Sequence, residues 1–139
     1  SSNEFTYILK EKNGEIISKK NFSTIIKPVV NNDKIFLISK NNLLISLDTE
    51  TGKIYYSYNI DDMISNFLNI KKKKAQYKNI IIAGDKINIF LNNSYVLKLN
   101  SQGKIEEVVK LPSKLKTNPI FSNSNLIYLD KKNKLSVVN

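Results

Sequence analysis

The sequence contains an internal repeat, and this repeat limits the chain to folds that stack similar units. One copy covers residues 27–60, a second covers 78–111, and a third begins at 118 and continues to 139. The opening segment, residues 5–22, matches the last two segments of a copy. Each copy has the same order of short apolar stretches and turn residues, so neighbouring copies can bury their apolar surfaces against one another.

Within each copy the apolar residues are mostly β-branched or aromatic, as in residues 35–38, and such residues favour strands. Pairs such as Asn13-Gly14 and Thr51-Gly52 tolerate the left-handed backbone of a tight hairpin turn. The pattern predicts strands at residues 5–11, 15–22, 27–31, 34–39, 43–48, 53–60, 79–83, 86–91, 95–100, 104–111, 118–122, 125–130 and 134–138.

Repeats of about 40 residues, each with four hairpin-linked strands, are typical of propeller blades. We therefore predict an all-β fold made of antiparallel four-stranded blades of a β-propeller, partial, with about three blades. The single domain 1–139 has blade units at about 5–22, 27–60, 78–111 and 118–139. Closed propellers have about 4 to 8 blades. We expect either that a longer parent chain supplies the rest or that copies self-associate through open blade edges.

An insertion at 61–77 interrupts the repeat. Asp61 or Asp62 could cap a short helix there, and a solvated loop is the alternative. Such a helix would place four apolar residues on one side, namely Met63, Ile64, Phe67 and Leu68. Long insertions often carry binding surface. The possible partner-binding residues of this segment are Phe67, Lys71, Lys72, Lys73, Lys74 and Tyr77.

Charge and composition exclude several kinds of site. The formal net charge is +10, but the sequence contains no Arg, whose forked side chain is preferred for phosphate and base recognition. Nucleic acid is therefore an unlikely partner. The sequence also has no Cys and no His, which excludes disulfides and His- or Cys-based chemistry.

A turn motif at residues 46–56 reads SLDTETGKIYY. It resembles the repeat signature of the quinoprotein-like, or PQQ-repeat, β-propellers, which reads Ala-x-Asp-x-x-Thr-Gly-Lys-x-x-Trp. Four residues match outright, Ser46 stands for Ala, and Tyr56 stands in the Trp position; the matches are Asp48, Thr51, Gly52 and Lys53. The other copies have decayed, but Gly14 and Gly103 keep the turn glycine.

The motif has a physical reason. Gly52 can adopt the left-handed turn, while Asp48 and Thr51 can accept hydrogen bonds from backbone amides of the turn. The aromatic residue at position 56 can pack on the peptide of the adjoining blade. The motif is therefore expected to be structural.

The resemblance implies one of two roles. Enzymes of the family bind pyrroloquinoline quinone and Ca²⁺ with groups that include Arg and Trp or an adjacent Cys pair, and this sequence has none of these. The other branch resembles the BamB family of outer-membrane assembly scaffolds, which bind a partner through propeller loops and perform no chemistry. The resemblance implies a location in the periplasm or at the periplasmic face of the outer membrane, with the cytoplasm as the open alternative.

We therefore predict a non-catalytic protein-binding scaffold with no catalytic, cofactor-binding or metal residues. Membrane contact is expected only indirectly, through a lipid anchor on the parent chain. The neighbouring carboxylates Glu106 and Glu107 are expected to point to opposite faces of a strand and so not to form an acid/base pair. Two alternatives stay open: a fragment of a PQQ-dependent quinoprotein dehydrogenase, and a Lys-rich polyanion-binding β module.

Overall fold

The computed structural model describes residues 4–139 and has antiparallel sheets with one short helix. The chain forms two compact units, Ser1–Lys73 and Lys74–Asn139. We describe each unit by itself. The predicted all-β class is confirmed, because every strand pairing among the described residues is antiparallel.

The first unit contains a two-stranded hairpin and a four-stranded sheet whose strands lie in chain order. Its elements are β1 (Thr6–Leu9), β2 (Ile16–Lys20), β3 (Val29–Asn31), β4 (Lys34–Ile38), β5 (Leu43–Asp48), β6 (Ile54–Asn59) and the helix α1 (Ile60–Leu68). Alternate residues of a strand point to opposite faces, so Leu37, Ile45 and Leu47 share one face of the sheet. These side chains form a buried cluster with Ile8 of the hairpin.

The second unit contains a four-stranded and a three-stranded sheet, again with strands in chain order. Its strands are β7 (Tyr77–Ala83), β8 (Lys86–Leu91), β9 (Tyr95–Leu99), β10 (Ile105–Lys110), β11 (Ile120–Ser122), β12 (Asn125–Leu129) and β13 (Leu135–Val138). Phe90 and Val96 of the larger sheet pack in one buried cluster with Leu126 and Tyr128 of the smaller sheet. Close packing of such side chains is a main source of stability in a domain of this size.

All the predicted strands form, and their ends lie within two residues of the predicted bounds. The insertion forms a helix rather than a loop. Its N-cap is Asn59, not Asp61 or Asp62, because the Asn59 Oδ1 accepts a hydrogen bond from the Asp62 backbone N–H at 3.1 Å. An Asn side chain is well suited to this position because it satisfies a free N–H of the first turn.

The connections that lead into the sheets repeat in a way that the sequence did not reveal. In the three-stranded and four-stranded sheets, a residue one or two positions past the end of the second strand donates its backbone N–H to the connection: Lys40 to Ser23 at 3.0 Å, Asn92 to Gln76 at 2.9 Å and Lys131 to Lys114 at 3.0 Å. This bond fixes each connection against its own sheet. Some residues of each connection therefore hold it against the sheet, while others lie on the surface.

Candidate functional site

The turn between β5 and β6 is built around the Asp48 carboxylate. Its Oδ1 accepts hydrogen bonds from the Thr51 N–H at 2.7 Å, the Thr51 hydroxyl at 2.8 Å and the Glu50 N–H at 3.0 Å. Lys53 contributes its backbone, since its carbonyl accepts from the Asp48 N–H at 2.8 Å. The structure thus brings the motif residues together in a turn rather than in a reactive site.

Gly52 has two reasons to be glycine. Its φ is +67°, which other residues rarely adopt. In addition, a Cβ built on Gly52 would lie 2.4 Å from the Ser18 Cβ and 3.3 Å from the Ile8 side chain. The motif glycine is therefore also the point at which the β5–β6 turn packs closely against the β1–β2 hairpin.

Tyr55 belongs to this turn, although the sequence analysis did not select it. Its hydroxyl donates to the Asp48 Oδ2 at 2.6 Å. This bond, together with the Thr51 donors, lowers the pKa of Asp48 to about 2, and the same bond raises the pKa of Tyr55 to about 12. The sequence did contain a signal for this role, because Tyr55 lies shortly after the Gly52-Lys53 turn. The role was missed because the family signature directs attention to position 56 instead.

Tyr56, at the Trp position of the motif, stacks on Tyr58 with ring centroids 4.9 Å apart. It lies opposite Ser46 in the β5–β6 ladder, and burial raises the pKa of Tyr56 to about 12. These contacts show a structural position on the sheet. The expected packing of Tyr56 on the peptide of an adjoining blade stays a prediction.

The decayed copies of the motif keep the turn and change its chemistry. Asn100 takes the place of the aspartate, and its Oδ1 accepts from the Gln102 N–H at 3.1 Å and the Lys104 N–H at 3.0 Å. Gly103 and Gly14 both have positive φ. The turn survives because an amide oxygen can accept the same backbone bonds as a carboxylate.

The insertion has a buried first turn, an exposed helix end with an aromatic side chain, and a run of exposed lysines. Ile60 and Asp61 are buried, and the Asp61 Oδ2 accepts from the Asn42 side-chain amide at 2.8 Å. The other end of the helix is exposed, with Phe67 at 46% exposure. Exposed lysines follow, namely Lys71, Lys72, Lys73 and Lys74.

Tyr77 does not belong to this surface, which corrects the sequence analysis. It is only 7% exposed and lies opposite Leu91 in the β7–β8 ladder. Leu115, which bridges to Asp130, occupies the corresponding place in the three-stranded sheet and is equally buried. Tyr77 is therefore a buried position that recurs in the repeat, and its ring is not exposed to a partner.

A row of polar side chains crosses the larger sheet of the second unit. Asn88, Lys98 and Glu107 lie opposite one another in the β8–β9 and β9–β10 ladders, so they share one face. Asn88 is only 3% exposed, and its side-chain amide donates a hydrogen bond to the Lys86 carbonyl at 3.3 Å. The polar row is a feature that the sequence analysis missed, although Asn88 within an apolar strand was a signal.

The polar row borders an open cleft of about 390 Å³ within the second unit. The lining residues come from the β7–β8 hairpin, β9 and the β11–β12 hairpin, and include Lys86, Asn88, Lys98, Phe121 and Ser124. A volume of this order lies within the range of sites that hold small ligands or side chains of a partner.

Glu106 and Glu107 correct a second expectation. A β-bulge interrupts the pairing between Ile105 and Glu107, so strict alternation fails at this point. The two carboxylates pair with Lys86 at 2.7 Å and Lys98 at 2.8 Å, and both lysines line the cleft. Both glutamates therefore form ion pairs with lysines on the cleft face of the sheet.

The described part of the chain lacks two kinds of feature. Residues 4–139 contain no group of three or more carboxylate, His or Cys side chains placed to hold a metal ion. They also contain no helix with the length and apolarity needed to span a bilayer.

Comparisons with known proteins identify the fold. No family model and no curated protein matches the sequence. Among solved structures, BamB from Moraxella catarrhalis is similar with a TM-score of 0.69 and 18% identity, over 93% of this chain and 35% of that chain. The computationally designed Ika8 protein is similar with a TM-score of 0.59 and 8% identity, over 89% of this chain and 36% of that chain.

The chain thus spans about a third of the length of the solved structures that it resembles. The likeness covers almost the whole chain, and the sheets of both units are antiparallel. The fold is therefore a partial β-propeller like that of BamB.

Proposed function

We propose that this chain is part of a non-catalytic β-propeller scaffold that binds a protein partner in outer-membrane assembly, on the periplasmic side. The BamB-like fold supports this proposal. The motif at 46–56 supports kinship with the PQQ-repeat propellers. In this proposal the units 5–22, 27–60, 78–111 and 118–139 are successive blades of a longer propeller.

The polar row in the cleft is the observation that carries the proposal. The corresponding row of the first sheet is Phe36, Ser46 and Tyr56, and its first two residues are buried. The first and third residues of this row are aromatic and suit a face that needs only to pack, whereas charged side chains at these positions cost free energy unless they are solvated or paired. In the second sheet, the polar side chains of Lys86, Asn88 and Lys98 line an open cleft, as expected for a surface that receives polar groups of a partner.

Crosslinking in the cells that produce the protein tests the proposal. A photoreactive amino acid at Ser124, on the cleft, should give an adduct with one defined protein. The same amino acid at Lys12, in the exposed β1–β2 turn, should not.

A matched variant makes the test specific. The triple substitution N88F/K98S/E107Y reproduces the row of the first sheet and leaves the Lys86–Glu106 pair in place. It should abolish the adduct while retaining cooperative unfolding. No adduct at Ser124, or an equal adduct in the triple variant, would contradict the proposal.

A further inference from the structure

The C-terminal end of α1 and the residues that follow form a segment with two kinds of exposed side chain. We call Phe67, Leu68, Ile70, Lys71 and Lys73 the helix-end patch. The apolar members are exposed by 46%, 41% and 49%, respectively. The lysines are also exposed, and within residues 4–139 neither has an ion-pair partner. The neighbouring Lys72 pairs with Asp62 at 2.6 Å.

The patch has a defined backbone. Asn69 ends the helix in a left-handed conformation, and its N–H donates to the Ser65 carbonyl. Ile70 is held twice, because its N–H donates to the Ser65 carbonyl at 3.1 Å and its carbonyl accepts from the Ser65 hydroxyl at 2.6 Å. The exposed apolar side chains therefore sit on an ordered helix end.

The fold does not need these residues in its core. Met63 and Ile64, one turn earlier, are half-buried, whereas the apolar side chains of the patch face solvent. Exposed apolar side chains beside positive charge are typical of segments that lie in the interface of an anionic bilayer. We propose that the helix-end patch binds the surface of an anionic membrane.

The chemistry favours a bilayer over an acidic protein. Carboxylates of a protein are recognised best by the planar Arg fork, and this sequence has only Lys, which acts as a point charge. A bilayer with anionic lipids attracts the positive charge of Lys as well as that of Arg, and it also accepts apolar side chains at the acyl boundary. Both halves of the patch then contribute to binding.

This inference goes beyond the proposed function and does not depend on it. The cleft and the helix-end patch share no residues, so substitutions in the patch leave the residues of the cleft unchanged. Loss of membrane binding would leave the crosslink at Ser124 unaffected.

Vesicle sedimentation tests the charge contribution. The chain should bind vesicles of phosphatidylglycerol mixed with phosphatidylcholine, and should not bind vesicles of phosphatidylcholine alone. Each exposed lysine near such a surface contributes roughly a fivefold factor in affinity, so K71Q/K73Q should bind about twenty-fivefold more weakly. The control K131Q/K132Q removes the same charge from another exposed site and should bind within about twofold of the unchanged chain.

A second pair of variants tests the apolar contribution. F67S/I70S should lose membrane binding, whereas L9S/I16S removes an equally exposed apolar pair from the β1–β2 hairpin and should not. The sequence contains no Trp, so F67W provides a single tryptophan, which can be excited selectively over the tyrosines. Its emission should shift to shorter wavelength when vesicles are added.

Three results would overturn the proposal. The first is no sedimentation with the anionic vesicles. The second is equal weakening by K71Q/K73Q and K131Q/K132Q, which would indicate a general effect of net charge. The third is binding to soluble polyglutamate that matches vesicle binding and is unchanged in F67S/I70S, which would indicate an acidic protein partner instead.

Discussion

The two four-stranded sheets have the same strand order and the same pairing, yet they differ in the row of residues at the middle of one face. In the first sheet this row contains Phe36, Ser46 and Tyr56. In the second it contains Asn88 and Lys98, with Glu107 at the third place. The difference teaches that hairpin turns and strand lengths define the repeat, while the side chains of a face can change without loss of the fold.

The turns between the third and fourth strands make the same point. Asp48 holds its turn with one carboxylate and the Tyr55 hydroxyl, whereas Asn100 holds the equivalent turn with an amide oxygen. The glycine of the turn is retained in both, at Gly52 and Gly103. Backbone conformation is therefore more strictly required than charge.

The largest expected effect is at Gly52. In G52A, the added methyl must fit where Ser18 lies 2.4 Å away, and the residue must keep φ at +67°. We expect a loss of about 3 kcal/mol in the free energy of unfolding, from backbone strain and overpacking together. Urea denaturation measures this loss.

Gly14 is the matched control, because its φ is +71° but nothing lies within 4 Å of an added Cβ. G14A should cost only the strain of the backbone, about 1 kcal/mol. Equal losses in the two variants would show that the contact between the β5–β6 turn and the β1–β2 hairpin contributes nothing.

The role of Gly52 could be predicted from the sequence, whereas the polar row could not, and the reason is physical. Turn residues and strand periodicity depend on local chemistry, so the sequence predicted all the strands and the role of Asp48, Thr51 and Gly52 in a turn. The bulge at Glu107 and the burial of Tyr77 depend on pairing with residues distant in sequence. No local pattern specifies such pairings, and for this reason the cleft was missed.

The second prediction concerns the end of β6. Ile60 donates its N–H to the Asn42 carbonyl at 2.9 Å, just as Leu111 in the second unit donates to Ser94 at 2.8 Å. The first unit adds the buried bond between the Asn42 amide and Asp61. D61A should therefore lose about 2 kcal/mol of unfolding free energy, since it leaves a buried donor without its acceptor.

D62A is the control for this prediction. Asp62 is the next residue, but it is exposed, and within residues 4–139 its one ion pair is with Lys72, so its replacement should cost less than about 1 kcal/mol in the same urea titration. A larger loss in D62A than in D61A would contradict the role of Asp61 in fixing the insertion.

The third prediction concerns the pH dependence of stability, which should differ between the Asp48 turn and the Asn100 turn. The pKa of Asp48 falls from 3.8 to about 2 in the folded protein, chiefly because Tyr55 donates to it. A lowered folded pKa stabilises the protein above the unfolded value, and this stabilisation is lost as the pH falls from about 4 toward 2. D48N, which copies Asn100, should therefore show a smaller acid-side decrease in the urea midpoint.

The alkaline side gives an independent check. The same bond raises the pKa of Tyr55 from 10.0 to about 12, so its contribution is complete below pH 10 and is lost as the pH rises toward 12. In Y55F, the urea midpoint should therefore decrease less than in the unchanged chain, both at acid pH and at alkaline pH. A Y55F profile identical to that of the unchanged chain would show that the bond does not contribute in solution.

The smallest effect is expected at Ser46, where the two rows differ most in size and charge. Its hydroxyl is completely buried and makes no well-formed hydrogen bond among the described residues, although it interacts with Tyr56 on the facing strand, and the family signature has Ala at this position. S46A removes a buried polar group without leaving a large cavity, so unfolding free energy should be unchanged or rise by up to about 1 kcal/mol. The control K98A shortens the equivalent half-buried residue of the second sheet and removes only its surface ion pair with Glu107, so it should change stability by less than about 1 kcal/mol. A clear loss in S46A would mean that the hydroxyl is bonded in solution, and the first row would then be polar in function like the second.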